Sequence, residues 1–132
     1  MKSIVFCGSN KRFATDIKIW GDFLADNAVN VFIPEDFTND PTWQGSELEV
    51  RDFAYKLTTE HFEKIKEYNL VFIFNKDGYS GLSTTLEIGC ASGLGKSIYA
   101  IEKDTTEICR DVLFKGYFKT KEDLLEFLRS TE

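Results

Sequence analysis

The residues best equipped for chemistry in this 132-residue chain gather around one apolar run, Leu70-Val71-Phe72-Ile73-Phe74. Downstream of it lies Glu87, in the segment Ser83-Thr84-Thr85-Leu86-Glu87 and just ahead of the small residues Gly89, Ala91, Ser92 and Gly93. A carboxylate at the carboxyl edge of a parallel sheet can attack an anomeric carbon. It then forms a covalent glycosyl intermediate that water or a second acceptor discharges. Such a reaction also needs an acid for the leaving group and contacts that hold the sugar. Asp77, Tyr79, Ser80, Ser83, Thr84 and Thr85 stand close enough in sequence to supply some of these. The plainer reading is structural: Thr84-Thr85-Leu86-Glu87 fits a capping box, with Glu87 reaching back to the Thr84 N–H. Local pattern leaves both readings open.

Upstream of the run is His61, the single histidine of the chain. Helical spacing puts His61, Ile65 and Tyr68 on one flank. An imidazole, with an unperturbed pKa of about 6.5, can exchange a proton near neutrality. The ordinary reading of a lone helical histidine is nonetheless a surface or half-buried side chain without a role.

These groups need a scaffold, and the chain supplies one in alternation. Ile4 to Cys7 predicts a buried first strand, closed by the turn Gly8-Ser9-Asn10-Lys11-Arg12. Phe13, Ile17, Trp20 and Leu24 form the apolar stripe of a helix. Val31 to Ile33 predicts a second strand, and Glu35 to Gly45 a loop. Ser46-Glu47-Leu48-Glu49 fits a capping box that opens a helix, with Thr58-Thr59 as a point of interruption or restart before Glu60 to Tyr68. Leu70 to Phe74 predicts the third strand and Ser97 to Ile101 the fourth. Between them, a helix opened by Ser83 and Thr84 would carry Glu87 in its first turn. Thr105 to Asp111 predicts a short helix, and Val112-Leu113-Phe114, extending toward Phe118, the fifth strand. Thr120 to Asp123 caps a last helix through Leu124, Leu125 and Leu128. Strands alternating with helices imply an α/β domain: a three-layer, flavodoxin-like or Rossmann-like fold with a parallel sheet of about five strands.

The whole chain, residues 1–132, reads as one domain. Nineteen aromatic residues (twelve Phe, five Tyr, two Trp) exceed what a small core needs, which leaves some to line a pocket. A net charge of −6 argues against polymeric nucleic acid, whose binding rests on lysines and arginines neutralising phosphates. It leaves room for a single anionic group at a helix N-terminus. Cys7, Cys90 and Cys109 are odd in number and widely spaced, so neither a disulfide framework nor a zinc motif is expected, and a cytoplasmic setting is the simplest. The short opening run Ile4 to Cys7 is not expected to be a signal peptide or a membrane span.

The segment Asp77-Gly78-Tyr79-Ser80-Gly81, followed by Ser83-Thr84-Thr85-Leu86-Glu87-Ile88-Gly89-Cys90-Ala91 and Gly95-Lys96, resembles the signature of the nucleoside 2-deoxyribosyltransferase superfamily. The opening Phe6-Cys7-Gly8-Ser9 is similar to its 2'-deoxynucleoside 5'-phosphate N-hydrolase branch. The resemblance implies cleavage of the N-glycosidic bond of a (deoxy)nucleoside or its monophosphate, with transfer to another base or to water. It makes Glu87 the nucleophile that attacks the anomeric carbon. His61 falls at the register of a family aspartate that contacts sugar or base, and so becomes a candidate proton donor or sugar-positioning group. Gly8, Ser9, Lys11, Asp77, Tyr79, Gly81, Ser83 and Thr84 form the implied substrate-binding shell. No metal or organic cofactor is implied, and a homo-oligomer, a dimer or higher, is. The chain departs from the family pattern at Gly81, where transferases carry an aspartate, and at Asn69 and Val5. Lys11 also stands where the phosphate-specific branch carries an arginine. A non-catalytic nucleotide-binding or sensor domain on the same fold is the alternative those departures permit. A flavin domain is disfavoured by Asn75 at the end of the third strand and by a first turn poor in hydroxyls.

Overall fold

The computed structural model describes residues 1–131. Five parallel strands, β1 (Ile4–Gly8), β2 (Val31–Phe32), β3 (Leu70–Phe74), β4 (Ser97–Ala100) and β5 (Gly116–Tyr117), form one sheet in the order β2-β1-β3-β4-β5. The register runs straight across its centre, with Ile4 opposite Leu70 and Gly8 opposite Phe74 on one side of β3, and Leu70 opposite Ser97 on the other. Both faces of the sheet are covered. Alternate residues of each central strand therefore feed two separate cores, and the strands read as unbroken apolar runs.

On one face, Ile4, Phe6, Leu70, Phe72 and Phe74 pack against Phe13, Ile17 and Leu24 of helix α1 (Asn10–Asp26) and Leu124, Leu125 and Leu128 of α5 (Lys121–Arg129). On the other, Val5, Cys7, Val71, Ile73, Ile98 and Ala100 pack against Ile65 of α2 (Glu47–Glu67) and Ile88 and Ala91 of α3 (Leu82–Gly93). The helices that carry His61 and Glu87 lie on this second face.

Three local expectations are revised. Helix α2 runs unbroken through Thr58 and Thr59, because Ser46 and Glu49 form the expected capping box and the Thr59 hydroxyl donates back to the Tyr55 carbonyl. The fifth strand, expected from Val112 and extending toward Phe118, is confined to Gly116–Tyr117. A one-turn helix, α4 (Ile108–Asp111), reaches this far, and Val112 and Leu113 close it with backbone bonds to Ile108 and Arg110. Only from Lys115 does the chain rejoin β4. Helix α3 begins at Leu82 with Gly81 as its cap, two residues earlier than Thr84. Glu87 therefore lies in the second turn.

Two motif residues prove structural. Lys96 donates through Nζ to the carbonyls of Lys66 and Tyr68 at the end of α2. Asn69 accepts from the backbone and hydroxyl of Ser3, fixing the start of β1 against β3. Among the described residues, no helix is long and apolar enough to cross a membrane.

Candidate active site

In a sheet ordered β2-β1-β3-β4-β5, the chain leaves β1 and β3 toward opposite sides, and a crevice opens above their carboxyl ends. Gly8 ends β1 there. A Cβ at that position would lie 2.9 Å from the Phe74 carbonyl oxygen, so only glycine lets the two strand ends approach this closely. A cavity of about 720 Å³ fills the crevice. Its lining includes Gly8, Ser9, Lys11, His61, Tyr79, Gly81, Ser83, Thr84 and Glu87.

Asp77 is the one expected binding residue outside it. The Asp77 N–H donates to the Glu102 carboxylate at 2.7 Å, and the residue takes a left-handed conformation (φ 62°) in the short turn Lys76–Gly78. That turn leans toward the end of β4 and does not fold back over the cavity. Buried Asn75 holds it there, donating to the Glu102 carbonyl and accepting from the N–H groups of Ile101 and Glu102.

At the cavity floor, Glu87 and His61 meet. Oε2 of Glu87 lies 2.9 Å from His61 Nδ1. The other ring nitrogen, Nε2, lies 3.1 Å from the Phe6 carbonyl oxygen. A carbonyl can only accept, so Nε2 carries a hydrogen and donates it. The contact between Nδ1 and Oε2 needs a hydrogen of its own, and one proton therefore bridges imidazole and carboxylate. Both side chains are nearly enclosed, at 10% and 13% exposure, which strengthens the pairing relative to one in water.

This geometry overturns the capping-box reading of Glu87. Glu87 does not close a capping box with Thr84, because Thr84 is already inside the helix and the carboxylate turns to His61 instead. Both ring nitrogens of His61 are engaged, one by a backbone carbonyl and the other by Glu87.

Helix α2 fixes His61, and the edge of the Phe32 ring meets the imidazole at a centroid distance of 5.9 Å. The Phe6 carbonyl is available because β2 is so short. β2 pairs only with Ile4 and Val5, leaving Phe6 to Gly8 without a strand on that side. Cys7, fully buried in the same stretch, places its sulfur 3.4 Å from His61 Nε2. Burial pushes its thiol well above the ordinary value, and the neighbouring Glu87 carboxylate pushes it further. It remains protonated.

Residues missed from the sequence complete the lining. Phe32, Phe37 and Trp43 line the cavity with Pro34, Leu57 and two carboxylates, Glu35 and Glu60. Trp43 is held by its indole N–H to the Phe37 carbonyl, and its ring stands against Phe53. The excess of aromatic residues was the available signal. At the mouth, Tyr79 carries the Arg12 guanidinium over its ring at 4.0 Å and meets the Phe13 ring edge-on.

No family model matches the chain, and no curated protein matches it either. Solved structures do. A 2-deoxyribosyltransferase from Bacillus psychrosaccharolyticus superposes with a TM-score of 0.70 at 20% identity, over 93% of this chain and 90% of that one. The CMP N-glycosidase of Clostridium botulinum gives 0.58 at 20% identity, over 97% and 98%. A conserved protein from Enterococcus faecalis V583 gives 0.63 at 15% identity, over 100% and 99%. The class is thereby defined by fold: a three-layer α/β domain with a five-stranded parallel sheet. Within that class, the chain adopts the architecture of a 2-deoxyribosyltransferase and a CMP N-glycosidase.

Proposed function

We propose that this protein cleaves the N-glycosidic bond of a (deoxy)nucleoside or nucleoside monophosphate through a covalent ester with Glu87. The observation that carries the reading is the Glu87 carboxylate, aimed by His61 at the floor of a cavity with one aromatic wall. Two neighbours of the same fold are named for chemistry at such bonds. In the first step a Glu87 oxygen bonds to the anomeric carbon. The bond from that carbon to the base nitrogen breaks, and its electron pair stays with the base, which takes a proton from solvent at the open mouth. In the second step water or another base attacks the same carbon and the carboxylate leaves, so configuration is retained overall. Phe32, Phe37 and Trp43 offer faces for stacking the base. Ser9 and Lys11, at the opening of α1, can meet a hydroxyl or a 5'-phosphate. Three free cysteines suit a reducing, cytoplasmic setting.

Incubation with deoxynucleosides and their monophosphates, with free base followed by chromatography, tests the reading. Wild type should release base, and Glu87→Ala should lower the rate by about 10³-fold or more. Tight binding of these compounds without base release by wild type would favour a nucleotide sensor instead.

The proposal extends to a homo-oligomer. Leu82 and Leu86 on α3 are 89% and 61% exposed beside the cavity mouth, and a Cβ at Gly89 or Gly93 would meet nothing within 4 Å. A face this apolar and this flat suits a second copy. Sedimentation should show a dimer or larger species, and Leu82→Glu should shift it toward monomer. A wild-type monomer at working concentration would refute this part.

A further inference from the structure

Behind the cavity floor, against His61, lies a fully buried sulfur for which the sugar chemistry has no use. We propose that Cys7, His61 and Glu87 together form a binding site for a thiophilic divalent cation of the zinc class, and that its occupation shuts the active site down.

One donor atom from each of the three residues lies within 4.8 Å of the others. Four-coordinate zinc, with bonds of about 2.0–2.3 Å, sets neighbouring donors about 3.3–3.8 Å apart. The separation from Cys7 Sγ to His61 Nε2 is 3.4 Å, and that from His61 Nδ1 to Glu87 Oε2 is 2.9 Å. With Nδ1 as the ligand, the carboxylate oxygen must draw back by about half an ångström, and the thiol, now against Nε2, must turn toward Nδ1. Nδ1 is the natural ligand, because Nε2–H then stays on the Phe6 carbonyl. A ligating imidazole is commonly anchored through its second nitrogen in this way.

The cavity supplies the fourth position, open to water. A sulfur donor selects against magnesium and calcium, which take oxygen ligands. Binding exchanges two protons for one cation, the thiol proton and the proton that bridges His61 and Glu87. The carboxylate held by the ion can no longer reach an anomeric carbon, so metal and turnover exclude one another. The metal site stands on the three side chains alone, and only its inhibitory consequence rests on the glycosidic reading.

Cobalt(II) titration of the full chain provides the test. One equivalent should give the visible bands of a four-coordinate ion and a near-ultraviolet band from thiolate to metal. Cys7→Ser should abolish the thiolate band, while the double variant Cys90→Ser, Cys109→Ser should keep it. If Cys7→Ser fails to fold, Glu87→Gln decides: the sulfur band should persist with affinity weaker by about tenfold or more. No thiolate band in wild type, a band that survives Cys7→Ser or is lost in the double variant, or an unchanged affinity in Glu87→Gln overturns the site. Stoichiometric zinc should suppress base release and a chelator should restore it; release indifferent to bound zinc overturns the inhibition. Absence of base release from metal-free wild type counts against the glycosidic reading, while the cobalt spectrum still decides the metal site.

Discussion

Glu87 and His61 were both legible as candidates in the sequence, but their relation was not. Glu87 stood out because a carboxylate followed by small residues opened a helix after a buried strand. His61, a lone helical imidazole with no role of its own by local pattern, stood out because the resemblance puts it at the register of a family aspartate. What joins them is a contact between α2 and α3, and the Phe6 carbonyl that orients the ring is 55 positions away in sequence. No local pattern encodes such a meeting, which is why a capping box looked attractive for Glu87. The geometry predicts a positioning role for His61. In His61→Asn, kcat for base release should fall by about 10²-fold, with KM changed by less than threefold, as expected when a nucleophile is misaligned by about an ångström. A rise in KM with kcat intact would show that His61 grips substrate instead.

At the scale of elements, the strong signals were those in which two rules agreed. Helix α5 had both a cap and an apolar stripe, and Thr120 does accept from the Asp123 N–H. The fifth strand had only an apolar triplet, and α4 competed for the same residues. The turn after β3 was legible as a turn but not in its direction, which depends on Asn75 bonding across to β4. This turn leaves a mark that can be measured. Gly78 has φ of +74°, and a Cβ there would stand 3.1 Å from the Thr105 hydroxyl and 3.3 Å from the Lys103 carbonyl. Gly78→Ala should therefore cost about 1–2 kcal/mol in urea denaturation, since an L side chain is strained in that region. An unchanged midpoint would mean that the turn relaxes freely.

For the whole molecule, the parallel sheet and its two covered faces followed from the alternation of strands and helices, since continuous apolar strands are what a doubly covered parallel sheet requires. The strand order came only with the structure. One polar feature of the periphery was invisible at that level. Asp104, with its side chain fully enclosed, pairs with Arg110, which also donates to Thr85 on α3. Burial alone would push the Asp104 carboxyl up, but Arg110 and the backbone N–H groups of Glu107 and Thr106 hold it below its ordinary value. A carboxyl depressed in the folded state adds stability that is complete above the ordinary carboxylate range and is lost as pH falls through the folded value. Asp104→Asn should therefore cost about 3 kcal/mol at pH 7. The gap from wild type should narrow as pH is lowered below about 4, measured by urea denaturation at each pH. A gap constant down to pH 2 would show that the pair contributes through shape and not charge.

The two-residue β2 has a consequence for how this site can change under mutation. The group that fixes the polarity of the imidazole is a peptide oxygen, and every codon that could be written at position 6 supplies the same one. Variation can delete the acid or the ring in one step, but it can remove their anchor only by extending the neighbouring strand until an amide claims that oxygen. Insertions near Ile33, rather than substitutions at Phe6, are therefore where related chains would lose this orientation.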